Sequence, residues 1–199
     1  MGCLKNFLRA ILITLAVIGF LAIGGKDFIV KYIKQWFNPT QIEMMERAKK
    51  VGDFSKISEE FEIEKAAGIM GYNAVVAEHK ASGQKMFVID TGKKEIITQN
   101  DLLSDNIEEK LLNTAHKFKY QSISAEDIKV VKKGSINTFG KDAPYIKFNA
   151  RVSKLPMGEI SGIISVVKNN DGATRTIISV NEKNKYSQLI SDEFFRKIK

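Results

Sequence analysis

Between residues 10 and 25 the chain carries no charged side chain, and Thr14 is its only polar one. Extended back to residue 7, the run would span roughly 28 Å as a helix, close to the hydrocarbon thickness of a bilayer. Phe7, Leu12, Leu15, Ile18, Phe20 and Leu21 leave no polar face. Arg9 lies one turn from the start, where its long stem can carry the guanidinium back to the headgroups. The pattern predicts a transmembrane helix over 7–25, behind a short tail of residues 1–6.

The rhythm then changes. Phe28, Ile29, Tyr32, Ile33, Trp36 and Phe37 recur at i, i+1, i+4, i+5, and Lys31, Lys34 and Gln35 fall opposite them. Aromatic residues beside lysines suit the membrane–water boundary. Residues 26–38 are therefore expected as a juxtamembrane amphipathic helix, with Phe28, Lys31, Tyr32, Lys34, Trp36 and Phe37 at the interface. Asn38 and Pro39 stop it. Lys5 and Arg9, with small residues at Ala22 and Gly24, also fit a signal peptide cleaved near Gly24, but the length of the run favours an anchor. Cys3 precedes the apolar run, and Asn6 stands where myristoylation wants Ser or Thr, so lipid attachment is not expected. Lysines and arginines nearly balance across the run; a short tail inside and a long domain outside the cytoplasm is the expected orientation.

Beyond Pro39 the pattern is globular. Residues 39–60 read as a short helix, with Ile42, Met45, Ala48 and Val51 as its stripe, and a connector; 61–199 read as one domain. Strands are expected at 72–79 and 84–90, joined through Ala81, Ser82 and Gly83, with a further segment at 95–98. A helix is expected at 105–119, carrying Ile107, Leu111, Leu112, Ala115 and Phe118 on one side. A second set of strands follows: 128–139, with Gly134 marking a bulge, then 145–152, 159–168 and 173–180. Residues 159–168 are apolar on both faces, the mark of a central strand. A last helix over 185–198 places Tyr186, Leu189, Ile190, Phe194 and Ile198 on one face. Short turns between strands, with helices between sets, predict an α+β fold with a mainly antiparallel sheet. This order resembles cystatin-like or nuclear-transport-factor-like domains and the α/β/α sandwich of photosystem extrinsic proteins. The resemblance is one of element order and assigns the chain to neither.

Composition narrows the chemistry. Across 199 residues the charge is +8, mostly from lysine, with a single cysteine. One cysteine allows no intramolecular disulfide and no cysteine metal site. Lysine touches phosphate as a point charge but lacks the fork that reads base edges, and no nucleic-acid motif accompanies it, so specific nucleic-acid binding is not expected. The basic surface is expected to face anionic lipid or wall polymer. Asn38, Pro39 and Thr40 form the one glycosylation-like triplet, which Pro39 disqualifies.

Three chemical candidates remain. Phe87, Val88, Ile89, Asp90, Thr91 and Gly92 resemble the active-site loop of aspartic proteases, which implies a second such loop to share a proton with Asp90. The chain has no second loop, and Lys93 follows where that family has Ser or Ala, so an ordinary turn is the better reading. His79 and His116 have no nucleophile or metal-ligand spacing around them and read as surface residues. Phe194 and Phe195 adjoin in the last helix; packing of both at a helix–sheet seam is expected, over exposure of one to a partner. No catalytic residue, cofactor or metal is expected. The expectation is a single-pass membrane protein with an extracytoplasmic binding or scaffolding domain, whose partners are the lipid bilayer and a protein in or at the membrane. A membrane-tethered hydrolase and a secreted domain are the alternatives.

Overall fold

The computed structural model describes residues 41–69, 72–92, 97–116, 125–152, 159–169 and 172–199. Seven strands form one antiparallel sheet: β1 (Phe61–Ile69), β2 (Tyr72–His79), β3 (Lys85–Asp90), β4 (Ala125–Thr138), β5 (Lys141–Val152), β6 (Glu159–Lys168) and β7 (Thr174–Glu182). Four helices flank it: α1 (Gln41–Val51), α2 (Gln99–Leu103), α3 (Ile107–His116) and α4 (Gln188–Lys197). The strand order is β1-β2-β3-β7-β6-β5-β4. Two meanders, β1–β3 and β4–β7, are thus joined where β3 pairs with β7. The architecture is α+β, and the two expected sheet regions are one sheet.

Each face of the sheet has its own core. Ile146, Phe148, Ala150, Ile160, Ile164 and Val166 gather with Leu102 and Ile107 beneath α2 and α3. On the other face Val88, Tyr145, Ile163 and Ile177 pack against Ala48 and Val51 of α1 and against Phe194, Phe195 and Ile198. Two-residue alternation makes this division: neighbours along β5 and β6 bury into opposite layers. β6 is paired on both sides, with β5 and β7, and its apolar positions are buried throughout. Phe194 and Phe195 are both fully buried, in edge contact at 5.3 Å between centroids, and the Phe194 ring also meets Phe54, ahead of β1, and Phe61 at its start.

A buried polar lock holds α4 in place. The Gln84 Oε1 accepts the Ser187 N–H at 2.9 Å, while its amide nitrogen faces Ser187 O, Ser179 Oγ and Ser191 Oγ. Ser187 makes no side-chain cap of its own, so Gln84 supplies an acceptor for the helix start. Tyr186 completes the group through Ser191 Oγ at 3.1 Å, and burial pushes its phenol well above the usual range.

Several expectations change. β1 occupies a stretch given no element, because its small residues Ala66, Ala67 and Gly68 carry little strand propensity and pairing with β2 supplies the order. Ile97 and Thr98 are not strand: Thr98 caps α2, accepting from Asp101 N–H while the Asp101 carboxylate accepts the Thr98 N–H. The helix expected over 105–119 is α3, which begins at Ile107, with residues 117–119 outside the described set; α2 precedes it in a stretch given no element. Gly134 is not the bulge of β4, whose irregularities fall between Ala125 and Asp127 and between Val130 and Lys132. Gly134 instead leaves room for the Tyr145 ring across the strand, whose Cε1 would stand 2.8 Å from an added Cβ. Met45 and Leu189 point to solvent, at 48% and 79% exposure, so the inward stripes of α1 and α4 are narrower than the spacing implied.

The two-sided core generates the first prediction. Ile163→Ala and Ile164→Ala each remove a buried side chain from a different layer, at a cost of about 2–5 kcal/mol. Both variants are expected to melt many degrees below the parent by calorimetry. A large loss at one position with almost none at the other would contradict burial on both faces.

Candidate functional site

The side chains expected to meet the membrane, Phe7, Arg9, Leu12, Leu15, Ile18, Phe20 and Leu21, lie outside the described residues. So do Phe28, Lys31, Tyr32, Lys34, Trp36 and Phe37. Among the described residues no helix is long and apolar enough to cross a membrane, and no three His, Cys, Asp or Glu side chains converge as metal ligands. What the described residues do hold is three polar clusters.

The first is built on the β2–β3 hairpin. Its register sets Lys85 directly opposite Glu78, on the face that carries Phe87 and Ile89. The irregularity of β1 between Ile63 and Lys65 brings in Glu64. The buried Lys85 Nζ donates to Glu64 Oε2 at 2.8 Å and to Glu78 Oε2. Burial, then the neighbouring Glu78, raises the Glu64 carboxyl above its ordinary range, and Lys85 pulls it back. The charges of the trio close on one another.

The second lies at the opposite end of β3. Asp90 Oδ1 accepts the Gly92 N–H at 2.7 Å, and Gly92 has φ +60°, so the triplet forms the turn expected of it. The β3–β7 register adds Arg175, opposite Asp90, with Nη2 3.4 Å from Oδ2 and both side chains nearly buried. The Phe139 ring lies over the guanidinium, 5.0 Å from its carbon. Phe139 and Gly140 form a two-residue hairpin loop with φ +53° and +70°, a conformation Phe adopts at a cost. The stacking and its contact with the α1-side core offset that strain. Arg175 Nε and Nη1 have no protein partner, which makes Asp90 its one neutralising group among the described residues. Asp90 is therefore more than a turn residue.

The third corrects His79, which is buried rather than on the surface. Its ring packs on Phe61 at 5.2 Å, its Nδ1 lies 2.8 Å from Ser82 Oγ, and its Nε2 lies 3.9 Å from the exposed Glu60 carboxylate. This line of hydroxyl, imidazole and carboxylate has the order of a hydrolase triad. Its surroundings are those of a turn brace: the Ser82 N–H points to His79 Nδ1, and the Gly83 N–H is bonded to His79 O. Neither amide is free to hold an oxyanion. His116 ends α3, and its side chain lies outside the described set.

No protein-family model matches the chain, and no curated protein matches it. The fold is similar to that of cyanobacterial PsbP (CyanoP) from Synechocystis sp. PCC 6803, known from a solution structure. The TM-score is 0.45 at 12% identity, covering 71% of this chain and 82% of that one. A likeness this distant leaves function open.

Pairing across strands was missed by the linear reading, although one signal was available. The four-residue turn between His79 and Gln84 already placed Glu78 opposite Lys85, whereas nothing local to Asp90 pointed to Arg175, far along the chain.

Two predictions follow the buried charges. Asp90→Asn strands Arg175 and is expected to cost about 3 kcal/mol in chemical denaturation, with part regained in the Asp90→Asn, Arg175→Met double variant. A silent Asp90→Asn would mean the pair contributes nothing. For Lys85→Met the effect depends on pH. A raised carboxyl pKa favours folding below the ordinary glutamate range, and that contribution is lost as pH rises through the folded value. Removing Lys85 moves the Glu64 carboxyl further up, so the loss in melting temperature is expected to be larger at pH 7 than at pH 4. An equal loss at both would refute the coupling.

Proposed function

We propose that the chain is a single-pass membrane protein whose folded part is a binding or scaffolding domain held close to the bilayer. The observation that carries this is the uncharged run at residues 10–25. Aromatic residues and lysines at Tyr32, Lys34 and Trp36 support it. Residues 26–40 reach at most about 50 Å when extended, so the domain works within that distance of the lipid. Orientation outside the cytoplasm follows the translocation rule for long C-terminal domains, and a membrane-associated protein is the second partner class. The Lys85 and His79 clusters are closed on their own partners, which supports binding over hydrolysis.

Alkaline carbonate washing tests the tether. The full-length chain is expected to remain in the membrane pellet, and Leu15→Arg, which places a charge mid-span at about 2.5–3.5 kcal/mol, is expected to weaken retention. Release of the unaltered chain, or a mature N-terminus starting near Gly25, would overturn it.

A further inference from the structure

We infer that one end of the folded domain is a docking surface for an anionic phospholipid bilayer, an inference that takes its membrane from the proposed tether. Segments far apart in sequence build this end. The Asp53 N–H donates to Lys199 O at 2.6 Å and the Lys199 N–H returns to Asp53 O, tying the chain after α1 to the residues after α4. The Phe139 N–H donates to Ile198 O, which adds the β4–β5 hairpin. Lys141 Nζ reaches Lys168 O at the β6–β7 hairpin. Exposed Lys49, Lys50, Lys56, Arg196, Lys197 and Lys199 gather there, and among the described residues none of the six forms an ion pair.

The far end of the sheet is the contrast. There Lys85 is held by Glu64 and Glu78, Lys183 by Glu159, Lys185 by Glu182, and Arg151 lies 3.8 Å from Glu159. Four cations are thus paired at one end, where Lys80 donates to the Glu59 carbonyl, while six are left open at the other. Asp53 and Asp142 do stand within the basic end. Asp53 has its carboxyl lowered first by the hydrogen bonds from Ser55 and then by Lys56 and Lys199, and Asp142 is taken by Asn137. Helix dipoles explain part of the pattern: α1 and α4 both end here, and cations in their last turns complement the carbonyl ends. They do not explain Lys56 or Lys199, which follow the helices. Arg175 beneath this end is neutralised by Asp90 and adds no open charge.

Lysine ammoniums on flexible stems suit a laterally mobile field of headgroups better than one fixed ligand. The attraction falls off within a Debye length of about 8 Å, so contact must be close. The tether allows that approach, since α1 begins only a short stretch of chain after the apolar run.

The test uses the full chain in vesicles of phosphatidylcholine alone and of phosphatidylcholine with phosphatidylglycerol, with amine labelling read at each lysine by mass spectrometry. Lys50, Lys197 and Lys199 are expected to label several-fold more slowly in the anionic vesicles, with Lys129 and Lys133 on β4 unchanged. Lys50→Glu, Lys197→Glu and Lys199→Glu combined, with an unchanged melting temperature, are expected to abolish lipid-dependent protection at Lys49 and Lys56. Equal labelling in both lipids, or protection centred on Lys129 and Lys133, would overturn the inference. Carbonate retention on the neutral vesicles reads the tether separately. A chain released there but protected on anionic vesicles would retain the docking surface and lose the anchor.

Discussion

The pairing of β3 with β7 is the constraint on which the rest of this fold depends. Without it the chain would hold two separate meanders, each with a raw edge where the other now lies. With it, the crossover from β3 to the far edge strand β4 must pass over one face of the sheet, and α2 and α3 travel in that crossover. α4, leaving the central strand β7, closes the other face together with α1. The partners of this seam are widely separated in sequence, so closing it carries a loop-closure cost. Both cores rest on it.

Polar side chains bracket the seam. Asp90 and Arg175 face each other at one end, and Gln84 with Ser179 marks the other, just before Lys85 meets Val180. A slip of one residue would exchange the faces of the sheet and separate each of these partners. Buried ion pairs add little net stability, and they do penalise a wrong register. The Gln84 group works in the same way on the start of α4, because every misplacement would leave buried amide and hydroxyl groups without partners.

The outer edges show a different control. β4 is long and exposed along its rim, but two irregularities, three lysines and the Glu108 carboxylate, which accepts the Val130 N–H at 2.6 Å, interrupt it as a template for further pairing. Lys133 Nζ turns inward to the carbonyls of Leu103 and Ser104 at the end of α2. The lysine excess in the composition therefore serves separate purposes at separate places: edge protection on β4, internal pairing around Lys85, and open charge beside α1 and α4.

Sequence alone determined what repeats locally. The alternation of Tyr145 through Val152, the two-sided apolar run of β6 and the turn at Gly83 follow from side-chain period and backbone preference, and they yielded the antiparallel α+β class. The apolar run near the N-terminus is legible in the same way, as an unbroken composition. β1 was not legible, because Ala66, Ala67 and Gly68 are strand only by virtue of β2 beside them. Burial of His79, exposure of Leu189 and the partnership of Asp90 with Arg175 were decided by tertiary structure. Each depends on which distant element arrives opposite, and periodicity carries a face but no record of its partner. The gathering of Lys49, Lys56 and Lys199 at one end belongs to that second kind: separation along the chain hides it, and only the hydrogen bonds between Asp53 and Lys199 bring it together.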